Sequence, residues 1–258
     1  MSNVDIDVVN DFGNEWHEYN QQKKFQEEFN INSFNNYFSI FPDNILHKNS
    51  IGFDAGCGSG RWAKFIAPKV KHLNCFDASD KALRVTQENL SEFDNCSFQC
   101  CSINDWEIAD NSQDFGYCLG VLHHIPNTES ALKKLVTKLK KGAPLLIYLY
   151  YKFDDKPFWF FYLWKVSDFF RKKISIMPHK NKLLITKIIA FFIYLPLAKL
   201  SFYLEKSGFD VSNIPLSVYR NQNFYSMQTD SLDRFGTRLE KRFTKREIRS
   251  LMQNCNLK

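Results

Sequence analysis

The chain of 258 residues carries seven cysteines but no C-x-x-C pair. An odd count without such pairing speaks against a disulfide framework and against the common zinc and redox motifs. Cys96, Cys100 and Cys101 cluster, yet their spacing fits no standard zinc pattern. They read as small buried hydrophobes in and beside a strand, and no metal is expected. The opening residues, MSNVDIDVVNDFGNEW, lack the charged-then-apolar pattern of an export signal. With unpaired thiols, this sets the expectation of a reducing cytoplasm. A strong charge bias is also missing: the net charge of +6 is a mild excess. The basic residues are scattered rather than striped and no recognition module is visible, so nucleic acid is not an expected partner. Nor is there a long uncharged apolar run. Residues 183–204 are long enough to span a bilayer, but Lys187, Pro196 and Lys199 interrupt them and argue against spanning. Apolar content of 44% and charged content of 24% leave room for a sizeable core and exclude disorder. The length suits one α/β domain with an insertion, or two small domains.

What is present centres on IGFDAGCGSG at 51–60. It reads as a short buried strand, an acidic residue at its end, and a glycine loop opening into a helix. Gly56, Gly58 and Gly60 allow a tight turn and a close approach of backbone to ligand. A dinucleotide fingerprint would be G-x-G-x-x-G. Here the order is G-x-G-x-G, Arg61 stands where the third dinucleotide glycine should be, and Asp54 precedes the loop. A carboxylate there would repel a pyrophosphate and suits a ligand with an ammonium or sulfonium, which leans toward S-adenosylmethionine. A purely structural strand-to-helix turn is the alternative.

In chain order, residues 1–20 are polar with Phe12, Trp16, His17 and Tyr19 set among them. They form neither a clean strand nor a clean helix, and read either as an arm over a site or as a surface segment with anchoring rings. Residues 23–38 look helical, with Phe34, Tyr37 and Phe38 on one face. Strands are expected at 51–54, 73–76, 97–101, 114–120 and 145–151. Helices are expected after the glycine loop (Trp62, Phe65 and Ile66 on one face, stopped at Pro68), at 80–90, after a cap at Asn127 or Thr128, and at 244–254. Asp77 ends the second strand about 20 residues past the glycine loop, where doubly wound folds place the carboxylate that holds ribose hydroxyls. Capping of the next helix is its other explanation. Strands alternating with helices in this way argue a parallel sheet.

Four segments in order, FDAGCGSGRW, CFDASDKAL, QDFGYCLGVLHHIPN and LKKGAPLLIYLY, resemble the motifs of class I S-adenosylmethionine-dependent methyltransferases, of the type 11-like group, over roughly residues 50–150. The resemblance implies an α/β fold: a doubly wound, Rossmann-like, mostly parallel sheet. It implies S-adenosylmethionine as cofactor. Asp54 and the backbone of Gly56, Cys57, Gly58 and Gly60 would hold its methionine end. Asp77, with Ala78 beside it, would hold the ribose; Ser102 and Ile103 would meet the adenine; Leu119 and Gly120 would flank the methionine amino group. Ser102 departs from the Asp common in the family and accepts more weakly than a carboxylate. FGNEW, PLSVYR and LDRFGTRLEKRFTKREI resemble a bacterial subgroup of these enzymes. The family sheet normally ends in two further strands after a helix, and here the chain stops at Lys258. The last strands are therefore expected to be missing, shortened or replaced, as in a fragment.

About 80 residues after the fifth strand exceed what this core requires. They hold FWFFYLW at 158–164, Val166, Phe169 and Phe170, and the basic cluster Arg171, Lys172, Lys173. They read as helices that cap the pocket or pack on a second subunit as a homodimer. Peripheral membrane contact through 158–204, with rings in the headgroup layer, is the other reading. The expected organisation is 1–48, an N-terminal arm and helix over the cofactor site; 49–151, the cofactor-binding core; 152–230, a helical cap; and 231–258, a return ending in a terminal helix. His123 and His124 follow the fourth strand at the edge where ligands bind, and either is a candidate base; hydrogen bonding within the loop is their structural alternative. Trp16, Tyr219, Arg220, Asp230 and Arg234 are candidate acceptor contacts, the arginines suiting an anion. A methyltransferase for a small-molecule acceptor, lipid-linked or sugar-like, is the leading expectation. A non-catalytic scaffold that keeps the fold and a nicotinamide-dependent oxidoreductase stand behind it, with nucleic-acid methylation weaker still.

Overall fold

The structure, a computed structural model, describes residues 3–21 and 25–257. The chain divides into two compact units: unit 1 is Met1–Tyr151 with Leu239–Lys258, and unit 2 is Lys152–Arg238. The return to unit 1 thus falls at Leu239, later than the expected 231.

Unit 1 is built on five parallel strands, β1 (Ile51–Ala55), β2 (His72–Asp77), β3 (Cys96–Cys100), β4 (Phe115–Leu119) and β5 (Leu145–Tyr148). Their order in the sheet is β3-β2-β1-β4-β5, the α/β arrangement expected. The strand chosen for the centre, β1, explains two small residues. Phe53 pairs with Gly116 and Gly52 with Phe115 across the β1–β4 register. A Cβ on Gly116 would lie 2.1 Å from the Phe53 ring, and one on Gly52 would lie 2.3 Å from the Phe115 ring. Each phenyl ring therefore lies over a glycine on the neighbouring strand. Side chains alternate with a period of two. Phe115 and Tyr117 enter one buried cluster with Trp62, Ile66, Phe34 and Phe38. Phe53, Phe76 and Cys118 enter the other, with Trp106, Leu122, Leu132 and Leu135.

Four helices of unit 1 start on residues whose side chains satisfy free backbone N–H groups. Asp5 caps α1 (Ile6–Glu18), so the segment without clear periodicity is a helix, correcting the expectation of an irregular arm. Next comes α2 (Phe25–Phe38); positions 23 and 24 of the expected helix lie outside the described residues. Helix α3 (Ala63–Ile66) is a single turn running into a 3-10 turn at Pro68, shorter than the helix expected after the loop. Ser79 caps α4 (Asp80–Asn89) and Asn127 caps α5 (Thr128–Lys138). The final helix of the chain, Lys245–Asn254, has a reciprocal capping box of Thr244 and Glu247. It buries Leu251 and Cys255 in the second cluster. Ahead of it, Phe243 bridges to Tyr151 in parallel fashion, and no further strand follows among the described residues. The expected fifth strand to 151 ends at Tyr148 as a ladder.

Unit 2 is helical: α6 (Phe158–Ile174), α7 (His179–Ile189), a π-helical turn (Ala190–Tyr194), α8 (Leu195–Lys206) and α9 (Phe224–Gly236). The terminal helix Lys245–Asn254 is α10. Ile174, Tyr194, Ala198, Met227 and Phe235 form the small core of unit 2.

Candidate active site

The glycine loop is fixed from three sides. Gly56, Gly58 and Gly60 all have φ between 58° and 72°, the left-handed region open to glycine. The amides of Gly56 and Cys57 donate to the Phe76 carbonyl at 2.8 and 3.1 Å. Thr86 on α4 donates to the Gly58 carbonyl at 2.8 Å, and Asn89 to the Ser59 carbonyl at 2.8 Å. A Cβ on Gly56 would lie 2.5 Å from Val121, and one on Gly58 would lie 2.8 Å from the Trp16 indole nitrogen.

A cavity opens at the carboxyl ends of β1, β2 and β4. Of the residues expected to meet the cofactor, Gly56, Asp77, Ala78, Ser102, Ile103, Leu119 and Gly120 stand on its wall. Asp54, Cys57, Gly58 and Gly60 lie off the wall. Asp77 is half-buried and its carboxylate accepts from the Gly58 amide at 3.0 Å and the Ser79 amide at 2.8 Å. Desolvation raises its pKa, and those two amide bonds oppose the rise. Two acceptances leave lone pairs for further donors. Beside it, Ser102 donates to Asp105 at 2.6 Å, which leaves the serine oxygen as an acceptor.

Asp54 is buried, and one of its carboxylate oxygens has no hydrogen-bond partner among the described residues. Burial pushes its pKa up to about 8; the Tyr117 hydroxyl pulls the other way, and the Asp77 charge adds to the rise. Tyr117 is its neighbour in the β1–β4 register. An orphaned buried carboxylate oxygen beside a glycine cradle fits a ligand that brings a cationic end.

The fourth-strand histidines separate. His124 is on the wall, and its Nδ1 lies 2.6 Å from the Leu239 carbonyl. A carbonyl only accepts, so Nδ1 carries the proton and Nε2 is the basic nitrogen. His123 is fully buried, off the wall, and stacks on Tyr150 at 3.8 Å between ring centroids. Neither of its ring nitrogens has a hydrogen-bond partner among the described residues, and burial lowers its pKa well below the usual histidine value.

The wall also includes Phe12 and Trp16, the rings expected in an arm over the site, and beside them on helix α1 Val8 and Val9, which sequence reasoning passed over. Val8, Phe12 and Trp16 fall at i, i+4, i+8 on one helical face, a periodicity that was available in the sequence. Phe12 meets the His124 ring edge-on at 4.8 Å. Asn3 binds Asn127 through both ends of its amide, at 2.8 and 2.7 Å, and closes the rim. Cys101, also on the wall, is pushed up to about 12 by burial, so it is a neutral thiol and no nucleophile near pH 7. Its neighbour Cys100 is exposed, and Cys96 is half-buried, which corrects the expectation of three buried thiols. Among the described residues no group of three His, Cys, Asp or Glu side chains is placed to hold a metal.

Trp16 is the one candidate acceptor contact on this wall. The others belong to unit 2. Arg220 forms a bidentate pair with Glu205, both contacts at 2.7 Å. Tyr219 packs on Tyr194, Arg234 donates to Ser167 at 2.9 Å, and Asp230 lies in α9.

Comparison with known proteins gives the class. Residues 53–142 match the family described as "Methyltransferase domain". The chain is 26% identical over 151 residues to a ubiquinone biosynthesis O-methyltransferase of Chromobacterium violaceum, covering 55% of this chain and 62% of that protein. It is 31% identical over 103 residues to phosphoethanolamine N-methyltransferase 2 of Caenorhabditis elegans, covering 38% and 23%. A solved putative methyltransferase from Bacillus halodurans aligns with 21% identity and a TM-score of 0.47, covering 55% of this chain and 60% of that one. The chain thus spans less than two thirds of each of these relatives. Residues 53–142 form a class I S-adenosylmethionine-dependent methyltransferase domain.

Proposed function

We propose that the chain transfers a methyl group from S-adenosylmethionine to a small-molecule acceptor, lipid-linked or sugar-like. One observation carries this reading: Gly56 of the glycine loop, a carboxylate with lone pairs to spare and an apolar wall share a single cavity at the carboxyl edge of the sheet. The names of the two curated relatives agree with a small acceptor.

The donor set fits the cofactor. Asp77 would accept the ribose hydroxyls, Phe76 and Ile103 would flank the adenine, and Ser102 would accept from its exocyclic amine. Gly56, Leu119 and Gly120 would bound the methionine end, and the cofactor's positive charge would favour ionisation of the buried Asp54 carboxyl beneath the loop. S-adenosylmethionine, when bound, supplies a methyl on a sulfonium whose leaving group is neutral. The chain's residues then align the acceptor and exclude water. The apolar face of α1 serves the second task. His124 serves as base, its tautomer set by Leu239 so that Nε2 can take the acceptor's proton. His123 supports the loop from inside and touches no ligand. The unpaired cysteines fit a reducing cytoplasm, and either a second copy or a membrane would cover the aromatic helices of unit 2.

Thermal unfolding with S-adenosylhomocysteine tests the reading. At about 100 times the dissociation constant it should stabilise the protein by roughly 2.7 kcal/mol. Asp77→Ala should abolish the shift, and a shift retained in that variant would remove the ribose assignment. No shift in the folded wild type would favour a scaffold that keeps the fold, and binding of a reduced nicotinamide cofactor would favour an oxidoreductase.

A further inference from the structure

Unit 2 buries several polar side chains beside its small apolar core and exposes broad apolar faces. Along α7, the π turn and α8, the buried stripe is Lys182, Thr186, Ala190, Tyr194, Ala198 and Ser201. It faces polar partners: Lys182 donates to the Gly236 carbonyl at 3.0 Å, and Ser231 to the Thr186 carbonyl at 2.9 Å. The opposite face exposes Leu184, Ile188, Phe191, Phe192 and Leu200, with Phe192 69% exposed. Helix α6 repeats the pattern. Arg171 is buried and donates to the Thr237 and Arg238 carbonyls, while Phe158, Tyr162, Val166, Phe169 and Phe170 are exposed. A helix in water shows the reverse polarity, and exposed apolar stripes of this extent mark an interaction surface.

We infer that the outward faces of α6 and of α7–α8 lie in the interface of an anionic membrane. Charge selects this occupant. Residues 158–204 hold eight lysines and arginines and a single carboxylate, Asp168. Asp168 is itself held by Arg171 and Lys172. Within 158–204 the exposed charges are thus cations, among them Lys165, Lys173 and Lys199; Glu205, at the end of α8, is paired with Arg220. Lys165 and Lys173 lie over the rings of Phe161 and Phe169 at 4.6 and 4.3 Å, so apolar rings and ammonium groups share one surface. Lipid phosphates complement that surface. A second copy docked by a two-fold axis would set the same cations against themselves. The helical run His179–Lys206 is long and apolar enough to cross a bilayer. An exposed Lys199 within it, beside Leu200, suits a helix lying in the interface with its lysines reaching the headgroups.

The test is flotation of the full chain with vesicles of phosphatidylcholine alone and of phosphatidylcholine mixed with phosphatidylglycerol, without cofactor. It therefore stands or fails apart from the methyl-transfer reading. The wild type should float with the anionic vesicles, and less so as salt rises. Replacing Lys165, Lys173 and Lys199 by glutamine should lower affinity about a hundredfold, about fivefold for each lysine. Phe169→Asp with Phe192→Asp should abolish flotation and leave the circular dichroism unchanged, because both side chains are exposed. Absence of flotation from the folded wild type overturns the proposal. Equal flotation on both vesicles overturns the anionic assignment. A sedimenting dimer that Phe192→Asp dissociates, without vesicle binding, gives the face to a second copy.

Discussion

Asp54 shows how one side chain sets stability against binding. Its folded pKa, about 8, lies above the unfolded value of about 3.9. Between those values the folded state holds a proton that the unfolded state has lost, so stability falls as pH rises. The contribution is fully present below about pH 4 and is lost by about pH 8. Asp54→Asn removes the penalty without changing shape. At pH 8 the variant should unfold about 2–8 °C higher than the wild type, corresponding to about 1–2 kcal/mol, and should bind S-adenosylhomocysteine more weakly. Thermal scans at pH 5 and pH 8 with and without ligand check this, and an equal Tm difference at both pH values would show that Asp54 does not titrate in this window. Asp54 and Asp77 were both legible in the sequence from their places at strand ends. The parting of His123 from His124 was not, because neighbouring residues in a 3-10 turn point to different surroundings, here Tyr150 and the cavity.

At the scale of elements, the packing of α1 on α4 decides whether the cavity has a roof. Gly13 makes it possible: a Cβ there would lie 2.2 Å from the Ser79 hydroxyl and 3.3 Å from Lys81 Cβ. Alanine is the better helix former by about 1 kcal/mol, yet Gly13→Ala should destabilise the protein by about 1–3 kcal/mol through overpacking. It should also weaken binding of S-adenosylhomocysteine, because Val8, Phe12 and Trp16 move with the helix. Ser79→Ala alone loses the α4 cap, about 1 kcal/mol, but makes room for the new methyl. The double variant should be less destabilised than the two singles added together, as measured by denaturant unfolding. Additive effects would place the Gly13 penalty elsewhere. The helical nature of this segment escaped sequence reasoning because an interior glycine and the polar run around it dilute the period. The five strands did not escape it: β4 and the β5 run are short, largely apolar and bounded by turn residues, and β1 and β2 end at the glycine loop and at Asp77.

For the whole molecule, the two proposals assign separate roles to the two units. Hydrogen exchange on the full chain with S-adenosylhomocysteine should protect α1, the glycine loop and residues 119–126, and leave α6 and α7–α8 unchanged. Addition of anionic vesicles should do the reverse. Protection of 158–204 by the cofactor alone would instead mean that unit 2 takes part in the cofactor site.

By itself the sequence determined the sheet, the glycine loop, the acidic strand ends and hence the class of the domain. These rest on local rules: strands, turns and caps are written in contiguous residues, and the positive φ angles of the loop favour glycine. Only the tertiary structure decided which side chains meet. It set Val8, Phe12 and Trp16 over the cavity, left an Asp54 oxygen unpartnered, and fixed the tautomer of His124 through a carbonyl far along the chain. It also decided which face of each unit 2 helix is outermost. Aromatic and basic residues are visible in composition, but whether they point inward or outward depends on what the opposite face packs against. Here that face is held by buried Lys182 and Arg171, which take backbone carbonyls at and just beyond the end of α9 and leave the apolar stripes outside.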